Sequence, residues 1–103
     1  MIGIRKIAIQ TPAGVSDGQG GFIDGWAHVS DERGRIRPAT GRELVAAEQA
    51  RTRLTHVAYL RSSAPIKPGD RLESGDKFYD VHVVRIPGGR GLHCEIDCSE
   101  IQS

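Results

Sequence analysis

Glycine and proline recur about every ten residues along this chain, and this punctuation limits it to short elements joined by turns. The sequence holds 13 glycines and 5 prolines among 103 residues. Between them, apolar and polar residues alternate with a period of two, most clearly over residues 92–99, where Cys94 and Ile96 share one face. In the strand predicted over residues 78–86, the apolar residues of one face are Tyr79, Val81 and Val83. This pattern is typical of a small antiparallel sandwich or barrel.

The alternation predicts strands at residues 4–11, 26–37, 54–61, 71–73, 78–86 and 92–99. Pro12 is expected to end the first strand, because proline has no N–H to donate to a ladder. The second strand is expected to bend or bulge at residues 31–34, and Trp26 is expected to anchor the core. The glycine-rich segment 13–25 fits either a long loop or an extended hairpin.

One helix is predicted, because Thr40 and Glu43 have the spacing of a capping box. Residues 44–51 then supply good helix formers, mainly alanine, glutamate and glutamine. The predicted fold class is therefore all-β, a small antiparallel barrel of about six strands with one short α-helix and long loops. We expect a single domain over residues 1–103, because a chain of this length has no room for a second core.

The charge balance argues against a protein that wraps duplex DNA by itself. The sequence has 14 lysines and arginines against 13 aspartates and glutamates, a formal net charge of +1. Neutralisation of phosphates by lysine and arginine supplies most non-specific affinity for DNA. A near-neutral chain is therefore expected to have little non-specific affinity for duplex DNA. No apolar run approaches the roughly 18–20 residues of a membrane helix, and no secretory leader is expected.

The last predicted strand contains metal-binding and nucleophilic residue types, but its alternation separates them. His93, Glu95 and Asp97 are expected on one face, and Cys94 and Cys98 on the other. Ligands on opposite faces of one strand cannot converge on a metal ion. The two cysteines would lie about 13 Å apart on a strand, too far for a disulfide. We expect no catalytic residue, no metal site and no cofactor, and two buried thiols.

The order of several short segments is more informative than composition. In chain order they are Gly20-Gly21-Phe22, Gly25-Trp26, Gly41-Arg42-Glu43 at the start of the helix, Thr55-His56 in the third strand, and Ile66-Lys67-Pro68-Gly69-Asp70-Arg71. Over residues 4–101 this order resembles the head–tail joining proteins of tailed bacteriophages, also called head-closure or stopper proteins. The same family occurs in phage-derived gene transfer agents.

The resemblance implies a structural protein without catalysis or cofactor. Such proteins form a ring below the portal and adaptor, close the DNA channel after packaging and present a surface to the tail. The implied partners are further copies of the chain (six or twelve per ring), adaptor or portal proteins above, tail-terminator or tail-tube proteins below, and packaged DNA held non-specifically. The implied location is the head–tail interface of a virion or phage-like particle, assembled in the bacterial cytoplasm, with no membrane.

By this resemblance, the segment 38–53 is expected near the channel and the segment 13–25 is expected to reach adjacent rings. The candidate gating residues are Thr40, Gly41, Arg42, Glu43 and Glu48. The candidate inter-ring residues are Asp17, Gly18, Gly20, Gly21 and Phe22. The candidate subunit-interface residues are Arg35, Arg37 and Arg51, because arginine suits polar, mixed-charge contacts.

Other functions stay open at the level of sequence. A tail-terminator ring would share the barrel and the head-to-tail contacts. An oligonucleotide-binding barrel would use the arginines between residues 33 and 53, although aromatic residues for base stacking are few. A small enzyme or metal protein built on Cys94 and Cys98 is the third alternative, and rapid thiol labelling or bound zinc would support it.

Overall fold

Six antiparallel strands close into a barrel in the computed structural model, which describes residues 3–16, 18, 20–87 and 93–101. The elements are β1 (Arg5–Ser16), β2 (Phe22–Pro38), α1 (Gly41–Gln49), β3 (His56–Arg61), β4 (Arg71–Ser74), β5 (Lys77–Arg85) and β6 (His93–Glu100). Around the barrel the strand order is β1–β2–β3–β6–β5–β4, and β4 closes the sheet by pairing with β1. The predicted small antiparallel barrel with one short helix is confirmed.

The core is the inside of this barrel, and β6 shows how alternation builds it. Cys94, Ile96 and Cys98 point inward and are at most 1% exposed. Both thiols are free, and burial raises the pKa of the Cys98 thiol to about 12. The cysteines therefore act as small apolar groups, as predicted.

The β1–β2 hairpin is longer than predicted. Strand β1 continues through Pro12, which pairs with Trp26 of β2. Pro12 does not end the strand because β4 pairs with β1 only at residues 8–10, so β1 is an edge strand beyond that point. Residues 13–16 and 22–25 of the glycine-rich segment are accordingly paired as an extended hairpin rather than forming a long loop.

A bulge lies in β2, but not where the sequence suggested. Ile9 pairs with Ser30 and Gln10 pairs with His28, so Val29 is the extra residue. The predicted bend at residues 31–34 is wrong, since these residues pair regularly with β1.

A second bulge lies at His82 in β5, and because of it the prediction that Val83 shares a face with Val81 is wrong. Val81 pairs with Cys98, and Val83 pairs with the next residue back, Asp97, so His82 has no direct partner. The extra residue reverses the inward and outward sides of the strand. Val84, and not Val83, packs against the core beside Val81.

The helix begins as the sequence predicted. Thr40 Oγ1 accepts a hydrogen bond from the Glu43 N–H at 3.3 Å, and Glu43 Oε1 accepts one from the Thr40 N–H at 2.8 Å. The capping box is therefore confirmed. The helix ends at Gln49, and Arg51 follows in the left-handed conformation with φ of 58°.

Candidate assembly surfaces

The exposed surfaces of the described residues are the candidates for function. Among them, no group of three or more His, Cys, Asp or Glu side chains is placed to hold a metal ion. Within the same residues, no helix has the length and apolar character needed to cross a membrane. The surface features that stand out are a two-stranded arm and a helix held by an ion pair.

The arm is defined here as residues 11–16 of β1 paired with residues 22–27 of β2. Among the described residues, neither half pairs with another strand, since β4 meets β1 only at residues 8–10 and β3 meets β2 only at residues 35–38. At about 3.4 Å per residue the arm extends about 20 Å beyond the closed barrel. A ribbon of two strands is marginally stable in water by itself, so the arm favours contact with another chain.

An aromatic–cation stack fixes the base of the arm to the barrel. The Arg71 guanidinium lies 4.3 Å from the Trp26 ring centroid and 4.4 Å from that of Phe78. The same guanidinium donates to Gln10 Oε1, at 2.8 Å from Nε and 2.5 Å from Nη2. Trp26 is 39% exposed, so the prediction that it anchors the core is wrong. It anchors the arm instead, and part of its ring stays open to solvent.

A bidentate ion pair fixes the start of α1 to the barrel. Arg37 donates from Nη1 to Glu43 Oε1 at 2.7 Å and from Nη2 to Glu43 Oε2 at 2.8 Å. It also donates to the Tyr59 hydroxyl, at 2.7 Å from Nη2 and 3.1 Å from Nε. We call this trio the helix clamp. Hydrogen bonding from Arg37 lowers the pKa of Glu43 to about 2, against an opposing effect of burial.

Beyond the clamp, α1 packs loosely on the outside of the barrel. Ala47 is the buried residue of the helix, and it lines a groove with Val83 and Arg85 of β5. Leu44 and Val45 remain 45% and 58% exposed. A helix with this little apolar burial gains most of its position from the clamp at its N-terminal end.

The comparison with known families covers both the arm and the clamped helix. Residues 3–101 match the family described as phage head completion protein. The chain belongs to the phage head completion protein family. It is a head-associated structural protein of the virion, which confirms the resemblance seen in the sequence.

This head completion protein is similar in fold to several solved structures, including the following two. The solution structure of protein SF1141 from Shigella flexneri 2a has a TM-score of 0.74 and 18% identity, over 93% of this chain and 90% of that chain. A chain in the virion of a native gene transfer agent particle has a TM-score of 0.60 and 15% identity, over 100% of this chain and 98% of that chain. At these identities the likeness concerns the fold. A search of curated proteins gives no match.

The candidate gating residues of this head completion protein divide into two groups. Thr40, Gly41 and Glu43 form the helix start. The Thr40 and Glu43 side chains already make hydrogen bonds in the capping box, and Glu43 is also paired with Arg37 in the clamp. Arg42 and Glu48 are exposed, and neither side chain has a partner among the described residues. Arg42 and Glu48 are therefore the gating candidates that are free to meet another molecule.

The three candidate interface arginines differ in whether their side chains are already bonded within the chain. Arg37 is already ion-paired with Glu43 in the clamp. Arg35 is exposed on β2 without a described partner. Arg51 is exposed and follows the helix in a Schellman arrangement, in which its N–H donates to Glu48 O at 3.0 Å and the Thr52 N–H donates to Ala47 O at 2.8 Å.

Of the inter-ring candidates, Gly18, Gly20 and Gly21 lie between the two strands of the arm. Gly18 and Gly20 have φ of 81° and 88°, which favours glycine at both positions. Gly21 directly precedes β2, which begins at Phe22. Asp17 lies outside the described residues, as does the Phe22 side chain.

Sequence reasoning missed a buried carboxylate on β2. Glu32 is 6% exposed, and it accepts hydrogen bonds from Arg61 Nε at 2.6 Å and Nη2 at 3.1 Å. Ser30 Oγ also donates to it. The hydrogen bond from Arg61 lowers the pKa of Glu32, against the opposing effect of burial. Period-two alternation along β2 points Glu32 inward, but the sequence does not identify its distant partner.

Two of the gating candidates provide a matched test of the clamp. We expect Glu43→Gln to lower the free energy of unfolding by about 1–2 kcal/mol, because the amide loses the charge-assisted pair with Arg37. Glu48→Gln is the control and is expected to stay within about 0.5 kcal/mol of the parent. Urea unfolding at pH 7 measures both, and equal values for the two variants would contradict the clamp.

The clamp also predicts a pH dependence. The Glu43 pKa falls from 4.5 to about 2 on folding. Its contribution to stability is therefore complete above pH 4.5 and is lost as the pH falls towards 2. The gap between parent and Glu43→Gln should close over the same range.

Proposed function

We propose that this protein forms the head-closure ring of its particle, below the portal and adaptor, where it closes the DNA channel and offers the tail its attachment surface. The family supports a head-associated structural role. The observation that carries the closure role is the combination of a closed barrel with two elements outside it, the projecting arm and the loosely packed α1. The barrel forms the wall of the ring, and the two outer elements are available to meet neighbours and DNA.

Within this ring, α1 and its flanking residues 38–53 face the channel and act as the gate. The clamp holds only the start of the helix, and one buried alanine holds the rest, so the helix can shift without opening the barrel. Arg42 and Glu48 place opposite charges on its exposed surface. This mixed charge suits reversible contact with packaged DNA and with the rings on either side, without sequence recognition.

The arm is the contact to an adjacent ring. It stands about 20 Å beyond the barrel, and Gly18 and Gly20, between its two strands, have the left-handed conformation that favours glycine. Adaptor or portal proteins lie above the ring, and tail-terminator or tail-tube proteins lie below it. Six or twelve copies make up the ring, and the protein carries out no catalysis and holds no cofactor.

Particles produced without this protein test the proposal. We expect electron microscopy to show free tails beside tail-less heads, and a DNA assay to show that these heads have lost most of their DNA. Expression of the protein from a plasmid is the control and should restore tailed, DNA-filled particles. Intact tailed particles in its absence would refute the closure role. DNA-filled heads beside free tails of uneven length would assign the tail-terminator role instead.

A further inference from the structure

Two unpaired arginines lie on the outer face of β2. Arg33 and Arg35 are exposed, and neither makes a hydrogen bond or ion pair with another described residue. Lys6 of β1 is directly opposite Arg33 in the register, and its own nearest anion is Asp31, at 3.7 Å. Like charges in directly opposite positions are unfavourable, so an acidic partner would stabilise this face. We call Arg33 and Arg35 the basic flank.

Two unpaired aspartates lie on the β5 side of the barrel. Asp76 is exposed in the turn between β4 and β5. Asp80 points outward from β5, because its neighbours Tyr79 and Val81 belong to the core. Neither aspartate makes a hydrogen bond or ion pair with another described residue. We call Asp76 and Asp80 the acidic flank.

The cations beside the acidic flank already have partners. Arg71 is opposite Asp80 in the register, but its guanidinium donates to Gln10 and is stacked at the base of the arm. The ammonium of Lys77 lies 3.9 Å from a carboxylate oxygen of Glu100. The acidic flank therefore keeps a negative charge that no ion pair within the described chain neutralises.

The two flanks lie on opposite sides of the barrel. Two strands separate β2 from β5 in either direction, β3 and β6 one way and β1 and β4 the other. The start of α1 is clamped to Arg37 of β2, and the helix lines a groove with Asp97 of β6 and Val83 of β5, so it covers the β3–β6 side. With α1 turned towards the channel, as proposed above, β2 and β5 lie at the two lateral sides of the subunit, where neighbouring copies in a ring meet.

Arg35 and Asp80 also lie at matching places along their strands. Arg35 is three residues before the end of β2 at Pro38, and Asp80 is three residues after the start of β5 at Lys77. Both strand ends belong to the same end of the barrel, because every neighbouring pair of strands is antiparallel. Copies related by rotation about a ring axis meet at equal heights, and this placement satisfies that condition.

We propose that the basic flank of one copy contacts the acidic flank of the next copy, in a head-to-tail contact that repeats around the ring. This inference rests on the proposed head-closure ring. Oppositely charged surfaces on opposite sides of one subunit favour a heterologous contact, because a like-with-like dimer would bring equal charges together. Charge complementarity of this kind also guides the approach of the subunits and fixes their register.

Charge reversal in particles tests the contact. The basic-flank variant carries Arg33→Glu and Arg35→Glu, and the acidic-flank variant carries Asp76→Lys and Asp80→Lys. Each replaces the parent protein, and tailed, DNA-filled particles are counted by electron microscopy. Either variant alone should lower the count at least about tenfold, because like charges then meet at every contact. A chain with all four substitutions should return the count to within about threefold of the parent.

Co-expression of the two variants gives a second readout. In a ring of six or twelve copies they can alternate, so that every contact again joins opposite charges. Particles should therefore form from the mixture although neither variant supports them alone. Arg35→Lys combined with Asp76→Glu is the control, since it keeps every charge, and it should match the parent.

Several outcomes would overturn the contact. Near-parent counts from either variant alone would do so, as would the failure of both rescues in variants whose urea midpoints match the parent. A defect confined to the basic-flank variant, with no rescue, would assign its arginines to DNA phosphates instead. Asp76→Lys alone replaces the acidic-flank variant if Asp80→Lys unfolds the chain. Tailed, DNA-filled particles in the complete absence of the protein would refute the proposed function itself, whereas defective particles there without rescue by the variants would refute only this contact.

Discussion

Replacing Gly34 with alanine is expected to lower the free energy of unfolding by about 3 kcal/mol. A Cβ at this position would lie 2.2 Å from the backbone oxygen of Tyr59 and 2.6 Å from Leu60 Cδ2. The oxygen cannot withdraw easily, because Tyr59 is paired on one side with Arg35 and on the other with Glu95. The added methyl group must therefore push β2 away from β3 and loosen the barrel. Urea unfolding of the purified protein measures the change.

Gly41→Ala is the matched control for this substitution. Nothing lies within 4 Å of a Cβ built at Gly41, and the residue is the first of α1. Alanine forms helix better than glycine, so the control is expected to be neutral or more stable by up to about 1 kcal/mol. If Gly34→Ala and Gly41→Ala had the same free energy of unfolding, β2 at Gly34 would not lie as close to Tyr59 and Leu60 of β3 as described.

Replacing Arg61 with methionine is expected to lower the free energy of unfolding at neutral pH, because the buried Glu32 carboxylate loses most of its hydrogen bonds, at a cost of about 1–3 kcal/mol. Arg61 is itself largely exposed, but its partner Glu32 has a side chain only 4% exposed. Methionine keeps much of the aliphatic stem and removes the cation, which leaves a buried carboxylate with only the hydroxyl of Ser30 to satisfy it. Arg33→Met on β2 is the control, and it should change stability by less than about 0.5 kcal/mol because Arg33 is exposed and has no described partner.

The cost of Arg61→Met should also depend on pH, with a definite sign. In the parent, the pKa of Glu32 lies below 4.5, so its stabilising effect is present above pH 4.5 and is lost as the pH falls further. In the variant, burial without the cation raises that pKa, and protonation relieves the penalty. The difference between parent and variant should therefore be largest at pH 7, begin to shrink as the pH falls through the raised pKa of the variant, and shrink further below pH 4.5, where the parent loses its own stabilisation. A difference that stayed constant from pH 7 to pH 4 would show that the carboxylate is not the source of the cost.

Local chemistry made parts of the fold predictable from the sequence. The capping box needs only Thr40 and Glu43, three residues apart, and both hydrogen bonds form. Likewise Gly69 follows Pro68 with φ of 93°, and the Asp70 N–H donates to Lys67 O at 3.1 Å, as a type II turn requires. These features depend on neighbouring residues, so the sequence is sufficient to predict them.

Features that depend on distant neighbours were not predictable in the same way. Pro12 stays in a strand because β4 ends before it, and alternation within β1 does not reveal where β4 ends. The bulges at Val29 and His82 depend on the register between strands. Each bulge changes which residues face the core, and this is why Val84 replaces Val83 there.

The candidate functional residues show the same difference between features set by neighbouring residues and features set by distant ones. The sequence located the segment that contains α1 and the segment that contains the arm, because both interrupt the pattern of short strands. It did not show that the Arg37 guanidinium donates to Glu43 and Tyr59 of its own chain, because these contacts depend on how the helix lies on the barrel. Nor did it show that Trp26 lies on Arg71, because these residues meet only when β1 and β4 pair.

The strand order has a consequence for how the protein folds. Barrel closure joins β1 to β4 through three residue pairs, and Gln10 and Arg71 in that ladder are 61 positions apart. Strand β6 occupies the place between β3 and β5, so the sheet stays open until residues 93–100 have been synthesised. Contacts between distant parts of a chain form slowly, because the loop entropy is lost before the contacts compensate for it. We therefore expect slow, late closure, with subunits becoming competent to assemble only after this last strand has inserted.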